Sequence, residues 1–317
     1  MIYRKLAGTD LKVSVLAYGP MRAADKTPTD SEKSRQGELA FRTVLDSGIN
    51  LIHSSYEYNT RWMMERVLRD HPKKKDIHHV IKVPVPDFKD GDVFDAGKFR
   101  LRVEEALKDL HADRIAVIQY MWRSEPNSEE RRRPLFDRII GDVGEVFNKM
   151  REEGKVGRLF TFPYTPESGA QALETGAFSG LIAYYNCIEM EMYDLFSSLE
   201  ARDMGFLTIR PLYQGILTEK RRPGKYLRSG DPRFADMSFD EDFRKQEKLV
   251  RELEGEIGGS LTDFALRFSI AHPVIASAIV GMNTPEQVES LVKAVEKPLP
   301  SADTVRRVFE LWRGGFA

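Results

Sequence analysis

Short apolar runs alternate with longer amphipathic stretches along almost the whole chain. The apolar runs have the length and composition of buried strands, and the stretches between them repeat apolar residues at helical spacing. Several of those stretches begin at Ser, Thr or Asp and finish at Gly, as helices commonly do. Eight strands are predicted in this way, at residues 13–19, 49–55, 79–85, 114–121, 157–162, 180–186, 205–212 and 276–282.

Eight strand–helix units without a low-complexity linker predict a (β/α)₈ TIM barrel, with residues 1–317 forming a single domain. A β-hairpin precedes the barrel, because the segment "YRKLAGTDLKVSV" carries a turn at Gly8, Thr9 and Asp10. Active sites of such barrels lie at the C-terminal ends of the strands. The residues that follow each strand are therefore the candidates for chemistry.

Two connections at that end of the barrel are longer than the rest. Residues 122–135 follow the fourth strand and residues 213–241 follow the seventh, and connections of this length are usually lids or binding loops. The "RRR" at 131–133 is interpreted as a solvated helix start. The segment "EKRRPGK" at 219–225 has two equally weighted interpretations, a phosphate-binding loop and an exposed basic loop. The first is considered because phosphate often binds after the seventh and eighth strands of such barrels.

Composition narrows the class of partner. The 48 basic and 49 acidic residues give a net charge of −1, so no field favours nucleic acid or an anionic membrane, and a small-molecule substrate is expected. One cysteine, Cys187, excludes an intrachain disulfide, and the N-terminus lacks an apolar signal core, so cytoplasmic localisation is the expectation. The histidines show no metal-ligand spacing, so no metal is expected, and the oligomeric state is left open.

Several segments, in order and at family spacing, resemble the aldo-keto reductases. They are "YRKLAGTDLKVSVLAYGPM", "DSGINLIHSSYEYN", "VIKVPV", "IAVIQYMWRSEP", "EEGKVGRLFTF", "AYYNCIEM", "IRPLYQGILTEK" and "DFALRFSIAHPVIASAIVGMNTPEQVESL". The resemblance covers almost the whole chain. It implies a barrel that passes a hydride between a nicotinamide cofactor, NADPH or NADH, and a carbonyl.

The resemblance also implies a catalytic tetrad, of which half is changed. The family's tyrosine acid falls on Tyr58 and its lysine on Lys82. The aspartate that pairs with the lysine is replaced by His53, and the histidine that orients the carbonyl is replaced by Met121. We expect His53 to be neutral and hydrogen-bonded, and Met121 to form an apolar wall.

The cofactor positions implied by the resemblance depart from the family pattern as well. Phe162 and Pro163 replace the Ser-Asn pair at the carboxamide, Ile182 replaces a glutamine, and Ile209 replaces the aromatic residue that stacks on the nicotinamide. The adenine end aligns with Gln287, Ser290 and Leu291, while Arg210, Lys220, Arg221 and Lys225 are available to a pyrophosphate. The other positions assigned to the cofactor site are Gly19, Leu212, Gln214 and Gly281.

Replacing the aspartate by His53 leaves Lys82 without its family partner. Either Lys82 loses its proton through burial, or Tyr58 ionises and becomes the counter-ion. A tyrosinate would act as a base, so this hypothesis favours alcohol oxidation, or elimination or isomerisation without a cofactor. Tyr56, Trp122, Arg123 and Phe162 are expected to line a substrate pocket for a planar or sugar-like molecule, with core packing as the alternative for the aromatic residues.

Two classes of function therefore stay open. The first is an NAD(P)-dependent oxidoreductase that interconverts a carbonyl and an alcohol. The second is a protein that has lost hydride transfer, either a cofactor-free lyase or isomerase that uses Tyr58 and Lys82, or a non-catalytic binding or regulatory protein.

Overall fold

A closed barrel of eight parallel strands forms the centre of the molecule. The structure is a computed structural model, and it describes residues 1–219 and 240–316. The barrel strands are β3 (Leu16–Tyr18), β4 (Leu51–Ser55), β5 (His78–Pro84), β6 (Ile115–Met121), β7 (Val156–Thr161), β8 (Gly180–Tyr184), β9 (Gly205–Ile209) and β10 (Ile275–Val280). Each strand pairs with the next in chain order, and β10 pairs with β3 to close the ring. The (β/α)₈ prediction is confirmed.

An antiparallel hairpin covers the N-terminal end of the barrel. Strands β1 (Tyr3–Lys5) and β2 (Lys12–Ser14) pair with Arg4 opposite Val13. Leu6 and Val13 are buried in the same apolar cluster as the inward-facing residues of the barrel. The predicted hairpin is thus confirmed, and it seals the end opposite to the expected active site.

Helices pack around the outside of the barrel. They are α1 (Glu32–Asp46), α2 (Arg61–Leu68), α3 (Ala96–Asp109), α4 (Glu129–Glu152), α5 (Pro166–Glu174), α6 (Phe196–Ala201), α7 (Asp240–Glu252), α8 (Glu254–Ile257), α9 (Leu261–Ser269), α10 (Pro285–Glu296) and α11 (Ala302–Arg313). Their caps follow sequence rules: the Ser31 and Thr284 side chains, for example, accept hydrogen bonds from the third backbone N–H of α1 and α10. The larger apolar cluster fills the space between strands and helices.

The two long connections differ from their sequence interpretation. Helix α4 already begins at Glu129, so the loop after β6 is short, and Arg132 is buried rather than solvated. Its neighbours Arg131 and Arg133 are exposed, as expected of a helix start. Most of the connection after β9 lies outside the described residues, and Asp240 already belongs to α7.

Candidate active site

Strand alternation brings a set of side chains together at the C-terminal end of the barrel. Inward-facing residues Leu51, Val80 and Val117 form the apolar interior. Because successive side chains of a strand alternate between its two faces, the residue two positions later on each strand also faces inward, closer to the mouth. These residues are His53, Lys82, Gln119, Phe162, Tyr184 and Ile209.

Tyr58 reaches the site from a 3₁₀ turn, Tyr56–Tyr58, between β4 and α2. The Ser55 side chain accepts a hydrogen bond from the backbone N–H of Glu57, and Asn59 ends the turn in the left-handed conformation (φ 54°). The Lys82 Nζ lies 5.3 Å from the centroid of the Tyr58 ring, and the His53 ring centroid lies 5.9 Å from it. The structure therefore brings Tyr58, Lys82 and His53 together.

Glu57 is the carboxylate partner of Lys82. Its Oε2 atom lies 2.6 Å from Lys82 Nζ, and its Oε1 atom accepts a 2.6 Å hydrogen bond from Arg123 Nη1. The expectation that Lys82 has no carboxylate partner is wrong, because the residue preceding Tyr58 in the turn supplies one. The family resemblance places the carboxylate at position 53 and so does not point to Glu57. The acidic residue next to Tyr58 is nevertheless visible in the sequence.

The electrostatics of this group favour a protonated phenol. Burial alone would raise the pKa of Glu57, but the hydrogen bond from Arg123 and the charge of Lys82 hold that pKa below its usual value. Burial lowers the pKa of Lys82, and the charge of Glu57 opposes this shift. Burial and, second, the charge of Glu57 raise the pKa of Tyr58 above its ordinary value. The tyrosinate hypothesis is therefore not supported: Tyr58 keeps its proton at neutral pH.

His53 is buried and neutral, as expected. Its Nε2 atom lies 2.6 Å from the Oε1 atom of Gln119, which accepts a hydrogen bond from the Nε2–H tautomer. Burial, together with the charges of Lys82 and Arg61, lowers the pKa of His53 to about 4 against the opposing effect of the Gln119 hydrogen bond. His53 thus replaces a charged partner of Lys82 with a neutral, fixed packing group, and Gln119 is a site residue that the sequence analysis missed.

Of three residues predicted at the pocket, Met121 agrees with its predicted position, whereas Trp122 and Tyr56 point away from the pocket. Met121 ends β6 with its side chain almost fully buried, in agreement with an apolar wall. Trp122 points to the opposite face of the strand, stacks on Phe136 at 4.4 Å and donates a hydrogen bond to the carbonyl of Arg132. The assignment of Trp122 to the pocket is wrong. Tyr56 is turned toward α3, where the guanidinium of Arg102 lies over its ring at 4.0 Å.

Aromatic rings and Arg210 occupy the region where the resemblance puts the nicotinamide. Phe162 contacts Tyr164 and Tyr184 edge to face, with ring centroids 5.0 Å and 5.3 Å away. The guanidinium of Arg210 lies 4.4 Å from the Tyr184 ring centroid, and its Nη1 atom is 3.2 Å from Glu189. Burial raises the pKa of Glu189 to about 7 against the charge of Arg210.

Other predicted cofactor positions are less accessible or lie elsewhere. Ile182 is fully buried in the barrel interior, so the assignment of its side chain to direct cofactor contact is wrong, whereas Ile209 is partly exposed. Leu291 is buried on α10. Leu212 precedes the 3₁₀ turn Tyr213–Gly215, and Gln214 lies within that turn. Both residues are partly exposed. Lys220, Arg221 and Lys225 lie outside the described residues.

A second group of predicted cofactor positions lies at the ends of the neighbouring strands β3 and β10. The Gly19 N–H donates to the carbonyl of Val280 at 2.8 Å, and Gly281 is exposed at the start of the following loop. The Gln287 Oε1 atom accepts a 2.8 Å hydrogen bond from the N–H of Asn283. This loop leads directly into the N-terminus of α10, whose dipole favours an anion, although Pro285 has no N–H and the Thr284 side chain already accepts the N–H of Gln287.

Two buried polar atoms at this end of the barrel suit a dinucleotide. Neither Arg210 Nε nor Asn283 Oδ1 has a hydrogen-bond partner among residues 1–219 and 240–316. The first is a donor for an anionic or carbonyl oxygen, and the second is an acceptor. The Arg210 Nε–H and the α10 dipole suit the pyrophosphate of a nicotinamide dinucleotide, and Asn283 Oδ1 suits a hydroxyl or amino donor of the same molecule. At the nicotinamide end, Phe162 has no side-chain hydrogen bond to offer.

The described part of the chain contains no cluster of three or more His, Cys, Asp or Glu side chains arranged to hold a metal ion. Within the same residues, no helix is both long enough and apolar enough to cross a membrane. Cys187 is buried, and burial raises the pKa of its thiol.

Comparison with known proteins agrees with this architecture. The chain is 24% identical to L-galactose dehydrogenase of Arabidopsis thaliana over 92% of its length and 87% of that protein. It is 27% identical to an uncharacterized oxidoreductase of Bacillus subtilis (strain 168), with 93% of this chain and 91% of the relative covered. The holo form of an aldo-keto reductase from Bacillus halodurans superimposes with a TM-score of 0.74, covering 98% of this chain and 96% of that one at 20% identity. The sequence model of the aldo/keto reductase family matches residues 15–312, and the chain therefore belongs to that family.

Proposed function

We propose that the protein is an NAD(P)-dependent oxidoreductase that interconverts a carbonyl and an alcohol on a small molecule. The observation that carries this proposal is the 2.6 Å ion pair between Lys82 and Glu57 beside the ring of Tyr58. It retains the acid and the charged lysine of the family tetrad, with the carboxylate delivered from the turn instead of from β4. Family membership supports the same activity.

Tyr58 is the proton donor in the direction of carbonyl reduction. A reduced nicotinamide held beside Tyr58 would supply the hydride for the carbonyl carbon. The Tyr58 hydroxyl gives its proton to the carbonyl oxygen, and solvent returns a proton to the phenolate afterwards. The Lys82 ammonium lies beside the phenol and stabilises the negative charge that develops on it.

Glu57 and His53 position this chemistry without taking part in it. Glu57 keeps Lys82 charged inside the barrel, where an unpaired ammonium would lose its proton. His53 donates to Gln119 and fills the space beneath the Tyr58 ring. Met121 cannot donate a hydrogen bond to the substrate oxygen, so orientation of the carbonyl falls to Tyr58 and to the neighbouring Arg123.

Arg210, Tyr184 and the α10 N-terminus are the groups proposed to hold the cofactor. The Arg210 guanidinium offers its free Nε–H, and the partly exposed ring of Tyr184 offers stacking surface. Lys220 would add charge. Either NADPH or NADH could be the cofactor. We further propose that residues 1–317 form one domain and that the protein acts in the cytoplasm, without a nucleic-acid or membrane partner.

The test is an assay of cofactor oxidation with a panel of small aldehydes and ketones. The expected result is turnover that Tyr58→Phe lowers by about 10²- to 10⁴-fold, because a positioned general acid contributes that much. Tyr213→Phe is the matched control, since its hydroxyl contacts Asp242 instead of the tetrad. Turnover that survives Tyr58→Phe unchanged would contradict the assignment.

A cofactor-free role is the second candidate, and one observation favours it. Phe162 and Ile182 stand where the family resemblance puts the side chains that bind the carboxamide, and the Phe162 ring packs against the rings of Tyr164 and Tyr184. In that case Tyr58 and Lys82 would serve a lyase or isomerase, or the mouth would bind a ligand without chemistry. Absence of cofactor binding together with a reaction abolished by Tyr58→Phe would favour the enzyme version.

A further inference from the structure

The tetrad region carries more positive than negative charge. Lys82 and Arg123 both pair with one carboxylate, Glu57, at 2.6 Å each. The three side chains are 15%, 12% and 25% exposed in that order, so water screens them only partly. With Glu57 ionised, the group has a net charge of about +1 in a partly buried site.

Other charged groups near the mouth do not neutralise this surplus by direct contact. Arg210 is paired with Glu189, so that pair adds no negative surplus. Lys98 is held by Asp87 and Asp90, and this anionic group contacts the Tyr56 hydroxyl on the α3 side. The Asp87 group offsets the positive field at a distance, but within residues 1–219 and 240–316 its carboxylates form no hydrogen bond or ion pair with Arg123 or Lys82.

Arg123 has hydrogen-bonding capacity left for a ligand. A guanidinium has five N–H donors, and its Nη1 and Nη2 atoms each direct one to Glu57. A further interaction joins it to Tyr164, and the guanidinium lies 4.7 Å from the ring of Phe88, which is 45% exposed. Arg123 thus keeps N–H donors beyond those bonded to Glu57, and it adjoins an exposed aromatic ring.

We propose that the substrate carries a carboxylate, which Arg123 binds while Tyr58 donates to the carbonyl of the same molecule. This inference rests on the proposed oxidoreductase function and names its substrate class. The carboxylate neutralises the surplus charge of the group and forms charge-assisted hydrogen bonds to a planar guanidinium. The ring of Phe88, which is 45% exposed beside the Arg123 guanidinium, provides apolar surface for the rest of the substrate.

The test compares an anionic and a neutral aldehyde on the same ring, 4-formylbenzoate and its methyl ester, with reduced cofactor in excess. The expected ratio of kcat/KM, acid over ester, is roughly 10- to 100-fold in the wild type, as charge-assisted hydrogen bonds confer. In Arg123→Gln the ratio falls toward one, mainly through KM for the acid, and Arg123→Lys restores part of it. Use of a ratio within each variant cancels any general loss of activity.

Arg131→Gln is the matched control, because Arg131 pairs with Asp92 at the exposed start of α4 and lies outside the tetrad. It is expected to leave the ratio unchanged. A wild-type ratio near one, or a ratio that Arg123→Gln leaves intact, would overturn the carboxylate assignment while leaving the oxidoreductase function in place.

Failure of the oxidoreductase function is detected separately. If neither aldehyde is reduced and no cofactor binds, binding of terephthalate and of its dimethyl ester is measured by calorimetry with the wild type and Arg123→Gln. Preference for the dicarboxylate that is lost in Arg123→Gln supports the carboxylate site independently. Equal or undetectable binding of both compounds overturns it.

Discussion

Replacing Glu57 by glutamine tests the counter-ion assignment most sharply. Glu57→Gln keeps the size of the side chain and one acceptor oxygen, but it removes the negative charge from between Lys82 and Arg123. Each contact of 2.6 Å is worth about 6 kcal/mol of Coulomb attraction at an effective dielectric of ~20, and desolvation of the three ions offsets most of it. Breaking a buried ion pair typically costs 3–5 kcal/mol. Since all three side chains keep some exposure, we expect a loss of about 3 kcal/mol in the free energy of unfolding at pH 7.

The pH dependence of this loss has a definite sign. The pKa of Glu57 is lower in the folded protein than in the unfolded chain, so its contribution is present above the unfolded pKa of ~4.3 and is lost as pH falls through the folded pKa. The difference between wild type and Glu57→Gln should therefore be large at pH 7 and should narrow below about pH 4.3. Urea denaturation at a series of pH values measures both quantities.

The matched control is Glu32→Gln on α1, which breaks an exposed pair with Arg35 and should leave stability unchanged. Equal unfolding free energies for wild type and Glu57→Gln at pH 7 would refute the assignment. So would a difference that stays constant down to acidic pH, because it would come from packing instead of charge.

Three further predictions follow from the site and its surroundings. Trp122→Ala should lower the free energy of unfolding by about 3–5 kcal/mol, because the indole is fully buried against Phe136, and urea denaturation would detect a smaller effect if the ring faced the pocket. Lys82→Met should lower kcat for carbonyl reduction at least tenfold without abolishing cofactor binding, and steady-state kinetics with a separate binding titration distinguish the two effects. Glu189 has a folded pKa of about 7, above its unfolded value, so wild-type stability should fall relative to Glu189→Gln between about pH 4.5 and 7; a parallel pH dependence of both proteins would contradict it.

The barrel was predictable from the sequence because its signals are local and repeated. Each strand is a short apolar run bounded by caps and turns, and each of the eight predicted runs overlaps one barrel strand. Boundaries were less accurate: β9 ends at Ile209, three residues before the predicted strand end, since Arg210 adopts a positive φ of 60°. Helix α4 begins earlier than predicted, because Pro134 is accommodated within it.

The site was predictable only in part, since it depends on contacts between strands. Tyr58 and Lys82 could be assigned by position, but the Glu57–Lys82 pair joins a turn to a different strand, and no single-segment pattern reveals it. The error at Trp122 was avoidable in principle. Met121 faces inward, so strand alternation sends the next residue outward to α4.

We propose that this barrel binds a nicotinamide dinucleotide although the residues at the carboxamide and adenine positions differ from the family pattern. Equilibrium titration of the purified protein with NADPH and then NADH, followed by tryptophan fluorescence and by calorimetry, measures this directly. We expect at least one of the two cofactors to bind with micromolar affinity. Arg210→Gln should weaken this affinity at least tenfold, because Arg210 supplies a charge-assisted hydrogen bond. No heat and no quenching at millimolar concentrations of either cofactor would contradict it.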